Sequence, residues 1–166
     1  MTGTWYAATD AGEAIVVAWQ GDGEDPFRLP RGIIAWRRFA DGGAPWRPVW
    51  GTAFRPADRV IGIDAATGDV TGEGSEDLLT FAATGGTGAC GSYRVIDLGT
   101  GATLFERADV CDTTIEAYPT VPGLVVTESV FETGDAHCCP SRIRTTTLTY
   151  EGGGRWDEAE VEVTDL

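Results

Sequence analysis

The sequence predicts an all-β protein built from antiparallel hairpins, and three observations lead to this prediction. Helical periodicity is nearly absent from the 166 residues. Short runs rich in Val, Ile, Thr, Trp and Tyr recur instead, and Gly, Asp and Pro interrupt them at intervals of roughly 8–15 residues. Glycine-rich turns at residues 41–43 and 151–154 each separate two such runs, as in hairpins. We expect the sheets to form a sandwich, a barrel or a partial propeller-like array.

The N-terminal third of the chain contains the aromatic strands. The pattern predicts strands at residues 4–8, 14–19, 32–39, 49–54 and 59–63. The turn at residues 41–43 separates an aromatic strand from Trp46 and Trp50. Residues 21–30 carry three acidic side chains and two prolines, so we expect an exposed loop there.

The rest of the chain continues as alternating strands. Further strands are predicted at residues 78–82, 92–97, 103–107, 124–131, 143–150 and 156–163. In the last strand Glu158, Glu160 and Glu162 alternate with Ala and Val, which indicates one buried and one solvated face. We expect residues 1–166 to form a single domain, although the character of the sequence changes near residues 56–58.

The charge of the chain excludes two classes of partner. It contains 12 basic and 26 acidic residues, with a formal net charge of −14. Nucleic acids and anionic membranes both require a clustered basic surface, so we expect neither as a partner. No window approaches 18 consecutive apolar residues, so the sequence predicts no transmembrane segment in this chain. The identity of a protein or glycan partner stays open.

The four cysteines favour an oxidising compartment. Cys90, Cys111, Cys138 and Cys139 form an even set in a small acidic chain, a profile typical of exported domains. We therefore expect an extracellular or cell-surface protein whose leader or anchor has been removed. Because Cys138 and Cys139 are adjacent, we favour separate bridges from them to Cys90 and Cys111, each worth about 3–4 kcal/mol. A zinc site formed by His137, Cys138 and Cys139 is the alternative.

An acidic loop has the spacing of a cation site. Oxygen-bearing side chains occupy alternate positions, and Gly74 occupies the sixth position of the loop, where calcium loops need a sharp reversal. The predicted ligands of a calcium ion are Asp69, Thr71, Glu73, Ser75 and Asp77.

Residues 69–79 resemble the calcium loop of the FG-GAP (VCBS) repeat found in integrin-like β-propellers. Asp69 and Asp77 match the first and last aspartates of that repeat, Glu73 stands at the third acidic position, and Thr71 replaces an aspartate. The resemblance covers about one blade and implies calcium held between strands in a secreted or cell-surface binding protein.

Catalytic and binding candidates are few. His137 is the single histidine, so a nucleophilic triad would have to use it, and we interpret it as a loop residue. Trp36, Trp46 and Trp50 surround one predicted hairpin and are the candidates for stacking on sugar rings or anchoring a protein. Around them lie four arginines, which we expect to pair with the acidic C-terminal strand of the same sheet: Arg37, Arg38, Arg47 and Arg55.

The sequence therefore predicts a disulfide-stabilised β module with a binding or structural role and no enzymatic chemistry of its own. Two rival interpretations stay open. One is a carbohydrate-binding module that uses exposed tryptophans, and the other is a hydrolase that uses a pair of carboxylates.

Overall fold

A computed structural model of the chain describes residues 3–9, 12–39, 45–86, 88–118, 122–136 and 139–166. The described residues form twelve β-strands and one short 3-10 turn at Pro56–Asp58, which confirms the all-β prediction. The strands are β1 Gly3–Thr9, β2 Gly12–Gln20, β3 Arg31–Phe39, β4 Arg47–Phe54, β5 Gly62–Gly68, β6 Asp77–Ala83, β7 Gly91–Asp97, β8 Thr103–Val110, β9 Thr113–Ala117, β10 Leu124–Val130, β11 Arg142–Tyr150 and β12 Trp156–Asp165.

The strands form three separate antiparallel sheets of four strands each. The first sheet contains β1–β4, the second contains β5–β8, and the third contains β9–β12. Within each sheet the order of the strands in space is their order along the chain, because antiparallel neighbours need only a short connection. Of the predicted arrangements, an array of sheets is therefore present, and a closed barrel is not.

Two strands differ most from the sequence prediction. The strand predicted at residues 59–63 begins later, at Gly62, because the 3-10 turn comes first and Arg59 then adopts a left-handed φ of 57°. Residues 113–117 were outside every predicted strand, yet they form β9. The segment has five residues, of which only Thr113 and Ile115 are buried, so its sequence gives a weak strand signal. Hydrogen bonding to β10 stabilises the strand instead.

The second sheet packs between the other two. Because alternate side chains on a strand point to opposite faces, Leu78 joins a core cluster with the first sheet and Leu79 joins another with the third. The first cluster contains Ala7, Ala14, Val16, Ala18, Ile33, Ala35, Leu78, Ile96 and Leu98. The second contains Val70, Leu79, Tyr93, Val95, Ile115, Leu124 and Val126. The first and third sheets therefore each keep one face outside the stack.

One disulfide corrects the expected cysteine pairing. Cys90 directly precedes β7 and Cys111 directly follows β8, and the two residues are bonded to each other. The antiparallel register pairs Gly91 with Val110, which places the two cysteine Cα atoms 4.0 Å apart. The prediction that each bonds to Cys138 or Cys139 is therefore wrong, because the hairpin already brings its own ends together.

Part of the predicted cysteine chemistry lies outside the described residues, namely His137 and Cys138. Cys139 is exposed, and its backbone N–H donates to the carbonyl oxygen of Ala136 at 2.8 Å. The turn predicted at residues 41–43 also lies outside the described part of the chain. Within that part, no helix is both long enough and apolar enough to cross a membrane.

Candidate functional site

The acidic loop between β5 and β6 is organised by its first aspartate. The two carboxylate oxygens of Asp69 accept the backbone N–H groups of Gly72 and Gly74, at 2.7 and 3.0 Å. Gly74 has a φ of 82°, in the region where glycine carries no Cβ penalty. The glycine expected to reverse the loop therefore does so, and Asp69 fixes the turn around it.

The last aspartate of the loop is buried. Asp77 is 3% exposed, and its Oδ2 accepts three hydrogen bonds, from the N–H of Val70 at 3.1 Å and from the N–H and hydroxyl of Thr71 at 3.0 Å each. Burial raises the pKa of Asp77 to about 6, although these hydrogen bonds oppose the shift. The negative charge of Asp77 is therefore costly in the folded protein.

The loop contacts all three sheets. The N–H of Ala8 in β1 donates to Glu76 Oε2 at 2.7 Å, and the N–H of Glu76 donates back to the carbonyl of Ala8 at 3.1 Å. A Cβ added to Gly72 would lie 2.8 Å from the ring of Pro122, just before β10. Val70 belongs to the core between the second and third sheets. Asp69 and Asp77 therefore shape a structural junction.

The described aspartates of the loop already accept hydrogen bonds from backbone N–H groups. Calcium requires oxygen lone pairs directed at one point, whereas Asp69 and Asp77 direct theirs at backbone N–H groups. The hydroxyl of Thr71 donates its proton to Asp77. Among the residues that the structure describes, no group of three or more His, Cys, Asp or Glu side chains is arranged to hold a metal ion. Calcium binding stays a prediction from the sequence.

The first sheet presents a largely apolar surface on the side away from the core. Strand alternation places six large side chains there, because their neighbours point into the first core cluster. We call this surface the outer aromatic face, and its members are Tyr6, Ile15, Val17, Trp19, Ile34 and Trp36. None of the six belongs to either core cluster of the described residues, and Tyr6 is 75% exposed.

Two features hold the outer aromatic face together. The ring of Trp19 covers Gly32 on the neighbouring strand, where an added Cβ would meet the indole at 2.6 Å. A glycine beneath an aromatic ring is a recurrent way to complete a sheet surface. Glu13 and Arg38 are cross-strand partners at one end of the face and form an ion pair with an N···O distance of 2.5 Å. The face is therefore apolar with no net charge.

The three tryptophans proposed as binding residues do not share one surface. Trp36 lies on the outer aromatic face, whereas Trp50 pairs with Ala35 and packs against the first core cluster. Trp46 precedes β4, is 40% exposed, and has the guanidinium of Arg38 5.3 Å from its ring centroid. Tyr6 and Trp19 complete the surface instead. The sequence contained a signal for this surface, because residues 14–19 are all apolar. An uninterrupted apolar run is typical of a strand with two apolar faces.

The expected pairing of the arginines with the acidic strand is wrong. Arg37, Arg38, Arg47 and Arg55 belong to the first sheet or follow it directly, whereas β12 is the edge strand of the third sheet. The second sheet lies between them, so their side chains cannot meet. Arg38 pairs with Glu13 of its own sheet instead. The acidic side chains of β12 are exposed to solvent.

A cavity opens between the second and third sheets, on the side of the short strand β9. Its volume is about 600 Å³, and Leu79, Phe81, Tyr93 and Ile115 provide apolar lining. The rings of Phe81 and Tyr93 stack with centroids 4.4 Å apart. Asp64, which pairs with Phe81 on the same face of the second sheet, also lines the cavity and is exposed to solvent. This cavity is a concave site that sequence reasoning missed, because it is formed by residues distant along the chain.

The candidates for function are thus the outer aromatic face, the cavity between the second and third sheets, and the acidic loop between β5 and β6. The FG-GAP resemblance of residues 69–79 remains a prediction from the sequence, and so does the absence of catalysis. Comparison of the chain with protein-family models, with curated proteins and with solved structures finds no match in any of the three.

Proposed function

We propose that this protein is a non-catalytic binding module that works outside the reducing cytosol and assembles with a second copy of itself through the outer aromatic face. The observation that carries the proposal is that six large apolar side chains cover one side of the first sheet outside both cores. The disulfide between Cys90 and Cys111 supports an oxidising compartment.

The size of the outer aromatic face suits contact between two copies. Four strands about 4.8 Å apart and roughly eight residues long, at about 3.3 Å per residue, span some 500 Å². Two such faces together would remove about 1,000 Å² from water, the lower limit for a specific interface. A two-fold contact places the same patch on both copies, so the patch must be compatible with itself.

The charge of the face also favours a second copy. The chain carries −14 overall, so most of its surface repels another copy. On the outer aromatic face the charged side chains of the described strands are Glu13 and Arg38, which neutralise each other. Two copies can therefore approach through this face with less like-charge repulsion than through the rest of the surface.

Light scattering coupled to size exclusion tests the proposal directly. We expect a species of twice the monomer mass of 17.6 kDa at concentrations up to about 100 μM, which suffice for micromolar affinity. Tyr6→Lys should give a monomer, because it places a charge in an apolar contact, and the exposure of Tyr6 leaves the fold unaffected.

Thr145→Lys is the matched control, since it adds the same charge to the outside of the third sheet. It should leave the dimer intact. A monomer at every concentration, or equal behaviour of the two variants, would contradict self-association through this face.

Carbohydrate binding is the second candidate. Tyr6, Ile15 and Trp36 form one cross-strand row, so two rings flank a flat apolar position to which a sugar could stack. Tryptophan fluorescence of the Tyr6→Lys monomer and of wild type, titrated with a glycan panel, separates the two candidates. A glycan-induced change in wild type that is lost in Trp36→Ala supports the carbohydrate function. Calcium remains a separate hypothesis, and neither candidate depends on it.

A further inference from the structure

The two edges of the outer aromatic face differ in height, because their side chains differ in size. Tyr6 projects from β1 and is 75% exposed. On β4, at the opposite edge, the positions on this face are Pro48, Gly51 and Ala53, which are compact and exposed. An open cavity of about 570 Å³ lies over β3 and β4, and its lining includes Ile34 and the same β4 residues. One edge of the face therefore projects, and the other forms a recess.

The charges of the face are placed at one end of it. Glu13 of β2 and Arg38 of β3 are direct cross-strand partners. Their side chains are 62% and 48% exposed, so both can reach a molecule that docks on the face. The row at the other end consists of Trp19, Gly32 and Ala53, which are uncharged. Each copy of the chain therefore presents one negative and one positive charge, side by side on neighbouring strands.

Two copies can pack face to face in two symmetric orientations. Packed sheets commonly keep their strands within about 30° of each other, so a two-fold axis between them runs either along the strands or across them. An axis along the strands places β1 over the partner's β4 and β2 over the partner's β3, at the same level. An axis across the strands places each strand over its own copy and reverses the level. The two orientations therefore bring different residues together.

We propose that the second copy docks with the two-fold axis along the strands, an inference that rests on the self-association proposed above. Tyr6 stands in the same cross-strand row as Pro48, one row from Gly51, so in this orientation it lies over the partner's recess. Glu13 faces the partner's Arg38, and Arg38 faces the partner's Glu13, so four charges alternate in sign. An axis across the strands would instead place both charges against the partner's uncharged end and Tyr6 over the partner's β1.

Charge reversal tests the orientation, because it changes which charges face each other across the axis. Glu13→Arg gives four positive charges at the contact, and Arg38→Glu gives four negative ones. Each variant alone should associate at least about tenfold more weakly than wild type, since facing like charges repel. A 1:1 mixture of the two variants should restore the dimer, because each arginine then faces a glutamate of the other variant. Light scattering during size exclusion, over a dilution series at low salt, measures both effects.

A charge-swap variant gives a second test in which the ion pair within each chain is retained. The double variant Glu13→Arg with Arg38→Glu should dimerise with itself, because the four facing charges still alternate. It should not dimerise with wild type, because like charges then face each other. Energy transfer between dye-labelled samples of the two proteins measures this. Equal transfer in the mixed and unmixed samples would overturn the orientation.

The matched controls reverse a cross-strand ion pair away from the face. Arg94 and Glu106 of the second sheet are direct partners, with 2.7 Å between guanidinium nitrogen and carboxylate oxygen. Glu106→Arg and Arg94→Glu change the net charge by the same amounts as the two test variants, and both should associate as wild type does. Thermal melting checks that all the variants are folded, since like charges on opposite strand positions are only mildly destabilising.

The results separate this inference from the proposed function. If wild type is a dimer and Tyr6→Lys a monomer, but Glu13→Arg associates as tightly as wild type, the face is the interface and the orientation is wrong. A mixture of Glu13→Arg and Arg38→Glu that associates no better than either variant alone would contradict the orientation as well. If wild type is a monomer at every concentration, the proposed function fails, and the orientation fails with it.

Discussion

The two ends of the stack of sheets have opposite surfaces. On the first sheet, the side away from the core carries the outer aromatic face. On the third sheet, strand alternation places a threonine-rich surface outside, with Thr127 opposite Thr145 and Thr147 opposite Glu160. Each sheet buries its other face in the same way, against the second sheet.

The difference shows that burial of one face does not determine the character of the other. A sheet at the end of a stack can face water when its outward positions are polar, and the third sheet satisfies this condition. The first sheet does not, since the central positions of β2 and β3 are apolar on both faces. Exposed apolar patches of this kind mark interaction surfaces. The binding surface proposed above therefore lies at the first-sheet end of the stack.

The largest expected effects concern the two cores that join these ends. Leu78→Ala at the first core and Leu124→Ala at the second should each lower the free energy of unfolding by about 2–5 kcal/mol, because both side chains are fully buried. Ile34→Ala on the outer aromatic face should cost the monomer only about 1 kcal/mol. Urea unfolding in the Tyr6→Lys background measures all three. If Ile34→Ala and Leu78→Ala lowered the free energy of unfolding equally, Ile34 would be as buried as Leu78, and the outer aromatic face would not be exposed to solvent.

The disulfide secures the third-sheet end in particular, because Cys111 stands between β8 and β9. Replacing Cys90 and Cys111 together by Ala should cost about 3 kcal/mol, as a bridge with a sequence separation of 21 restricts the unfolded chain. Hydrogen exchange should then increase in β9 and β10 more than in β2 and β3. Uniform acceleration across the three sheets would contradict a local anchoring role.

The junction loop makes the stability of the fold sensitive to pH through Asp77. Its folded pKa of about 6 lies above the ordinary 3.8, so the proton binds the folded state more tightly. That stabilisation is complete below about pH 4 and is lost as the pH rises through 6, with about 1.4 kcal/mol per pKa unit.

Asp77→Asn should remove this component, because an amide oxygen still accepts the N–H groups of Val70 and Thr71 without ionising. At pH 7 the variant should therefore be more stable than wild type by roughly 2–3 kcal/mol, and less so at pH 4. Asp157→Asn on exposed β12 controls for the loss of one charge. The same pH dependence in wild type and Asp77→Asn would exclude Asp77 as its source.

The smallest expected effect is that of calcium on the same loop. Because Asp69 and Asp77 already accept backbone N–H groups, melting temperatures in millimolar calcium and in a chelator should agree. A clear increase with calcium that disappears in Asp69→Asn would instead support the cation site expected from the sequence.

Local patterns in the sequence were sufficient for much of the fold. The hairpin of β11 and β12 followed from strand propensity and a glycine-rich turn, because both signals act over a few residues. The buried face that alternation predicted for β12 is wrong, because Val161 and Val163 are 46% and 55% exposed on this edge strand. The reversal at Gly74 was also predicted from local signals. Strand β9 was not, since its stability comes from β10 and not from its own five residues. The start of β5 was misplaced because one left-handed residue, Arg59, leaves no trace in hydropathy.

Sites that depend on distant residues could not be predicted. The sequence showed that cysteines were available, but the register of β7 and β8 selected Cys90 and Cys111 as partners. It showed aromatic strands, but the packing of the second sheet decided that Trp50 points inward and Trp36 outward. The amino-acid sequence by itself determined that this chain forms twisted hairpins with an acidic surface, because propensity and alternation are local properties. The tertiary structure alone decided which faces are covered and where a cavity opens between sheets, because burial and proximity depend on which sheets pack together.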